Sequence, residues 1–94
     1  MNETIETILN EREKTHGSFL VHASVTQGIK NILYAKGKMK FNTRQREALD
    51  MIAHKIGRIV AGDPNYKDHW DDIAGYALLV SKGLEEERRE ENDE

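Results

Sequence analysis

The second half of the chain carries acids, a histidine and two cations at helical spacing. Glu47, Asp50, His54 and Arg58 follow one another at intervals of three, four and four residues. On a helix that spacing puts them on one face, each above the next. Further on, Asp68 and Asp72 are four residues apart, with Asp71 beside Asp72. If the two segments are helices packed antiparallel, their carboxylates can converge. Hard divalent cations such as Mg²⁺ take oxygen ligands, and helical bundles build such sites from acids on facing helices. A metal held there can bridge substrate phosphates and activate water. Lys55 and Arg58 would then neutralise the remaining phosphate charge. A plainer reading stands beside this one. Acids on the outer face of an amphipathic helix are normally solvated, and acids in a first turn are what a helix N-terminus favours. His54 can simply pair with Asp50 at helical spacing. His16 and His22 read as structural, one at a helix break and one on a helix flank.

These groups need helices to position them, and the pattern predicts an all-α chain. There is one proline, Pro64, and no stretch alternates apolar and polar residues long enough to suggest a strand. Four helices are expected. The first covers about Glu3 to Lys14, with Ile5, Ile8 and Leu9 on one face. Gly17 suits a left-handed C-terminus, and Ser18 can cap the next start. The second covers about Phe19 to Ala35 and is ended by Gly37. The third begins at Asn42 or Thr43, where Asn42 and Gln45 have capping-box spacing. Its apolar stripe is Leu49, Ile52, Ile56, Ile59 and Val60, and Gly62 with Pro64 stops it. The fourth begins near Asp68 and buries Trp70, Ile73, Ala74, Ala77, Leu78 and Leu84. The expected architecture is a compact bundle of about four helices, with the third and fourth as a central antiparallel pair. Gly75 lies mid-helix at a cost of about 1 kcal/mol, which close approach of another helix would explain.

Composition narrows the functions available. The chain has 94 residues, enough for one domain but not for a nucleotide-binding α/β domain with a second one. A core this small makes burial against a second copy an expectation. No cysteine is present, which removes thiol catalysis and cysteine-ligated zinc and fits a reducing cytosol. No apolar run approaches the roughly 20 residues of a membrane span. Residues 85–94 hold seven acids and two bases, so the domain is expected over 1–84 with a solvated acidic tail. Between Lys30 and Arg46 there are six Lys or Arg and no acid. That stretch attracts phosphate or is a solvated loop.

The run Glu11-Arg12-x-Lys14-Thr15-His16-Gly17-x-Phe19 resembles the opening of small phage and prophage proteins with a helical bundle. The segment from Arg46 to Val80 looks like their continuation. Its Lys55-Ile56-x-Arg58-Ile59 and Asp68-x-x-x-Asp72-Ile73-Ala74-Gly75-Tyr76-Ala77 resemble phage-type relatives of the MazG-like, all-α nucleoside triphosphate pyrophosphohydrolases. The resemblance covers most of residues 11–80. It implies a dimeric or tetrameric bundle in the cytoplasm, the host's if phage-encoded. It implies Mg²⁺ held by two pairs of acids, with water attacking the α-phosphate to release pyrophosphate. Carried over, the catalytic acids are Glu47, Asp50 and Asp72. The metal set is Glu47, Asp50, Asp68 and Asp72, and Lys55, Arg58 and His54 face the substrate. Two positions depart from the pattern: Asp50 is one methylene shorter than the glutamate expected, and His69 stands three before Asp72 in place of an acid.

Three readings follow. The first is a Mg²⁺-dependent nucleoside triphosphate pyrophosphohydrolase. The second is a non-catalytic phage accessory or counter-defence protein that binds a nucleotide or a host protein. The third is a nucleic-acid binder using Lys30 to Arg46. It is the weakest, because that stretch lacks interleaved aromatics and the chain is acidic overall.

Overall fold

A computed structural model describes the backbone of residues 2–37 and 40–93 and the side chains of residues 4–37 and 40–91. Lys38 of the basic stretch, the Glu3 side chain and the last three side chains of the acidic tail lie outside the described residues. The chain is an all-α bundle of four helices. These are α1 (Asn2–His16), α2 (Phe19–Gly37), α3 (Thr43–Ala61) and α4 (Lys67–Asp93). No strand is present among the described residues.

The helix ends follow from local chemistry. At the start of α3 the Asn42 side chain accepts from the Gln45 N–H at 2.8 Å, and Gln45 Oε1 accepts from the Asn42 N–H at 3.0 Å. This reciprocal pair satisfies two amides that have no helical partner. Gly17 takes φ 74° at the end of α1, where a side chain would be strained. Its N–H reaches back to the Glu13 carbonyl at 2.9 Å. Gly62 closes α3 with an N–H to the Arg58 carbonyl at 2.9 Å. Asp63 then tightens the turn into α4 by accepting from the Asn65 N–H at 2.9 Å. The α1–α2 and α3–α4 turns meet, and the Asp63 N–H donates to the Thr15 carbonyl at 3.0 Å.

The third helix is central. It packs antiparallel on α2 along one side and antiparallel on α4 along another, and among the described residues α2 and α4 make no close approach. The pairing with α2 is as extensive as the expected one with α4. Contact with α1 is slight. The seams are made of small residues. Ala48, Ala53 and Gly57 of α3 are buried, as are Thr26 of α2 and Gly83 of α4. A Cβ at Gly57 would collide with Thr26 Oγ1 and sit 2.8 Å from the His22 carbonyl oxygen.

Two sequence expectations need correction. The large apolar residues do not fill a core. Leu49, Ile52, Ile56 and Ile73 are only half-buried, Ala77 and Leu84 are exposed, and Trp70 and Leu78 remain 52% and 53% exposed. The physical reason is the layer one helix thick: a stripe is buried only where a second element covers it. Gly75 is not at a close approach either. Apart from its own helix backbone and chain neighbours, nothing among the described residues lies within 4 Å of where its Cβ would be. The acidic segment from Glu85 continues α4 as helix, with its described side chains exposed.

The two glycines should therefore respond in opposite directions. Gly57→Ala is expected to destabilise the fold by about 1–3 kcal/mol through overpacking. Gly75→Ala should instead gain up to about 1 kcal/mol of helix propensity. Urea unfolding of both variants checks the signs.

Candidate functional site

Asp50 and Asp72, two of the acids expected to converge, are held by separate partners. Asp50 faces α2, where the Tyr34 hydroxyl donates to it and the Lys30 ammonium lies 3.8 Å away. The hydrogen bond to Asp50 raises the Tyr34 phenol above its ordinary range. Asp72 of α4 pairs across the seam with Lys55 at 2.7 Å, and that bond lowers its carboxyl. Asp71 pairs with Lys67 at 2.7 Å on its own helix. Asp68 is exposed and accepts from Tyr66, whose phenol is raised as a result. Glu47 is exposed, with no ion pair among the described residues. Among those residues no three His, Asp or Glu side chains are placed to hold one metal ion. Within a single chain the donor set for Mg²⁺ is therefore not assembled.

Instead, the structure brings the histidines together. The chain has four, and all lie at the end of the bundle where α1 and α3 finish and α2 and α4 begin. His22 Nε2 and His54 Nδ1 are 3.2 Å apart, their rings meeting edge to face. One of these nitrogens must donate and the other accept, so the two share one proton. His69 is almost wholly buried. Its ring lies against His16 and Tyr66, each with a centroid separation of 4.8 Å, and its Nε2 is 3.4 Å from the Thr15 carbonyl oxygen. It ties the start of α4 to the end of α1. His16 Nδ1 also meets Thr15 Oγ1 at 3.0 Å.

A pocket of about 380 Å³ opens between α1, α2 and α3. Arg12, His16, His22, His54 and Arg58 give it its polar character, Leu9 and Phe19 are apolar, and Glu13 also lines it. The Arg58 Nε is enclosed and has no hydrogen-bond partner among the described residues. Among the described residues, neither the Arg58 nor the Arg12 guanidinium pairs with a carboxylate. Unpaired positive charge and burial both disfavour protonation of the rings. Desolvation first, and Arg58 second, lower the pKa of His16, His22 and His54. His54 falls to about 4. Near neutral pH the pocket thus presents fixed guanidinium charge beside neutral imidazoles.

Of the residues expected to face a substrate, His54 and Arg58 line this pocket, while Lys55 turns to Asp72. His16, His22 and Arg12 were not expected there. Each histidine is unremarkable alone. The placement of His16, His22 and His69 near helix junctions that an antiparallel bundle must bring to one end was the available signal.

An all-α bundle with a polar pocket at one end is the class that this geometry defines. A family model described as "Domain of unknown function (DUF6378)" matches residues 1–83, and the chain belongs to that family. Comparisons with curated proteins and with solved structures gave no match. No helix among the described residues is long and apolar enough to cross a membrane.

The lowered histidines predict acid sensitivity. Unfolded, each ring titrates near its ordinary value of about 6.5. Folded, the rings resist protonation, so the unfolded state binds protons first as pH falls. Stability present above about pH 6.5 is therefore lost progressively toward the His54 value of about 4. The melting temperature should drop across this window, with a shallower slope in His54→Gln. A melting temperature that is flat across it would contradict the cluster.

Proposed function

We propose that this chain binds the phosphate end of a nucleotide in the pocket between α1, α2 and α3. The observation that carries the reading is Arg58. A guanidinium keeps its charge at any pH a protein meets, and a partly enclosed charge without a partner is costly. A phosphate supplies both the counter-charge and the acceptor oxygens, in a geometry that the guanidinium fork matches. Arg12 adds a second cation on the α1 side. His16, His22 and His54 can take up protons as the anion enters, which turns them into further donors. The pocket's volume lies in the range of small-molecule sites, and exposed Phe19 offers a ring on which a base can stack.

The resemblance to MazG-like pyrophosphohydrolases favours a nucleoside triphosphate among phosphate esters. Hydrolysis to monophosphate and pyrophosphate is the reaction it implies, with Glu47, Asp50, Asp68 and Asp72 as the Mg²⁺ set. Within one chain Asp50 and Asp72 are engaged by different cations, and Glu47 has no ion pair among the described residues. The same separation supports the second reading, a non-catalytic accessory protein that holds a nucleotide or covers a host protein.

Thermal melts with nucleoside triphosphates, pyrophosphate and inorganic phosphate, each with and without Mg²⁺, test the proposal. Triphosphates should raise the melting temperature, because a ligand of the folded state stabilises it. The rise should be larger at about pH 6 than at about pH 8, since bound anion favours the protonated rings. Arg58→Gln should weaken binding by about ten-fold or more, the loss of a charge-assisted pair. Pyrophosphate release in the presence of Mg²⁺ would identify a hydrolase, and binding without release an accessory protein. No shift with any of these compounds, or an undiminished shift in Arg58→Gln, would contradict the proposal.

A further inference from the structure

Thr15 and His16 are the last two residues of α1, and their side chains meet. The Thr15 hydroxyl oxygen lies 3.3 Å from the Arg12 carbonyl oxygen and 3.0 Å from His16 Nδ1. A hydroxyl has one hydrogen to give, and a carbonyl only accepts. Both contacts are made at once only when that hydrogen goes to the carbonyl and His16 Nδ1–H donates to Thr15 Oγ1. The lone pair of the neutral ring is then on Nε2, which has no hydrogen-bond partner among the described residues. The same ring lines the pocket together with Arg12 and Arg58. Burial first, and Arg58 second, lower its pKa, so the ring is neutral near pH 7, as a proton acceptor must be. The other two imidazoles of the pocket are placed differently. His22 is buried and its Nε2 is engaged by His54. His54, at about 4, is a weak base near neutral pH.

From this we infer that His16 is the general base of the pocket, its Nε2 taking the proton of a water that attacks a phosphoanhydride held by Arg12 and Arg58. The inference rests on the anion site proposed above and adds a reaction that binding alone does not require. In the step, the water oxygen forms a bond to phosphorus as its proton passes to Nε2. The bond from that phosphorus to the bridging oxygen breaks, and its electron pair leaves with the departing phosphate or pyrophosphate. The ring becomes imidazolium and returns its proton to solvent. The guanidinium groups take up the charge that develops on the phosphate oxygens, and Arg58 meets it with an enclosed and unpartnered Nε. Thr15 is a positioning residue. Its Oγ1 accepts from Nδ1–H and thereby fixes the tautomer and the direction of the ring. The substrate class is a nucleoside di- or triphosphate, whose leaving group departs as an anion and asks for no second proton donor.

Two readouts on the full chain test this, both with nucleoside triphosphates and Mg²⁺: release of phosphate or pyrophosphate, and the shift in melting temperature. The wild type should show turnover and a shift. His16→Gln should lose turnover by about a hundred-fold or more, the contribution of a positioned base, while triphosphate still raises its melting temperature. Thr15→Val should lower kcat by about ten-fold with KM unmoved, as expected when a hydrogen bond that orients the base is lost. Thr15→Ser, which keeps the hydroxyl, should restore kcat. The Thr15 pair carries the test if His16→Gln fails to fold. Triphosphate binding without release of phosphate or pyrophosphate overturns this inference and leaves the anion site standing. Turnover that His16→Gln leaves unchanged, or a kcat that Thr15→Val leaves unchanged, overturns it as well. A wild-type melting temperature indifferent to triphosphate removes the anion site, and the base with it.

Discussion

The close approach of α2 to α3 at Gly57 sets the geometry on which the other features depend. Because Thr26 and the His22 backbone occupy the space a Cβ would fill, the seam admits only small residues there. Ala53 beside it is buried for the same reason. Helices that meet through small side chains gain close backbone packing but bury little apolar area. The large side chains of α3 are consequently displaced to the two sides of the layer. His22 is carried with the α2 backbone to within hydrogen-bond distance of His54, so the same contact that closes the seam creates the histidine pair.

The two sides of the layer then acquire different chemistry. One holds His54 and Arg58 under α1, with the guanidinium lowering the neighbouring imidazoles. The other holds Leu49, Ile52, Ile56 and Ile59, which the described residues leave only half-buried. A helix with a polar stripe and an apolar stripe usually turns the first to water and the second to a core. Here the polar stripe is partly enclosed and the apolar stripe is open. On the polar side, the proposed remedy is an anion beside Arg58.

Much of the fold was legible in residue pattern. Asn42 with Gln45, Gly17, Gly62 and the 3.6-residue periodicities marked the helices and their ends, because those signals are local. Burial was less legible. The stripes of α3 and α4 have the spacing of core residues whether their cover is this chain or another one, so Trp70 and Leu78 looked internal. The candidate site was the least legible. Glu47, Asp50, Asp68 and Asp72 drew attention because carboxylates at helical spacing suggest metal. Asp50 and Asp72, however, have cations beside them that spacing along a single helix does not reveal. His16 and His22 meet residues of α3 and α4 distant in sequence, and no local pattern encodes such a meeting.

The pocket is tested most directly by titrating the imidazoles of His16, His22 and His54 individually by long-range ¹H–¹⁵N NMR, with and without pyrophosphate. In the free protein His54 should titrate near 4, and His22 should titrate below its ordinary value and coupled to it. Added pyrophosphate should move both upward, since anion beside Arg58 cancels the charge that depresses them. His16, His22 and His54 titrating independently near about 6.5 and indifferent to pyrophosphate would contradict the cluster and the anion site together.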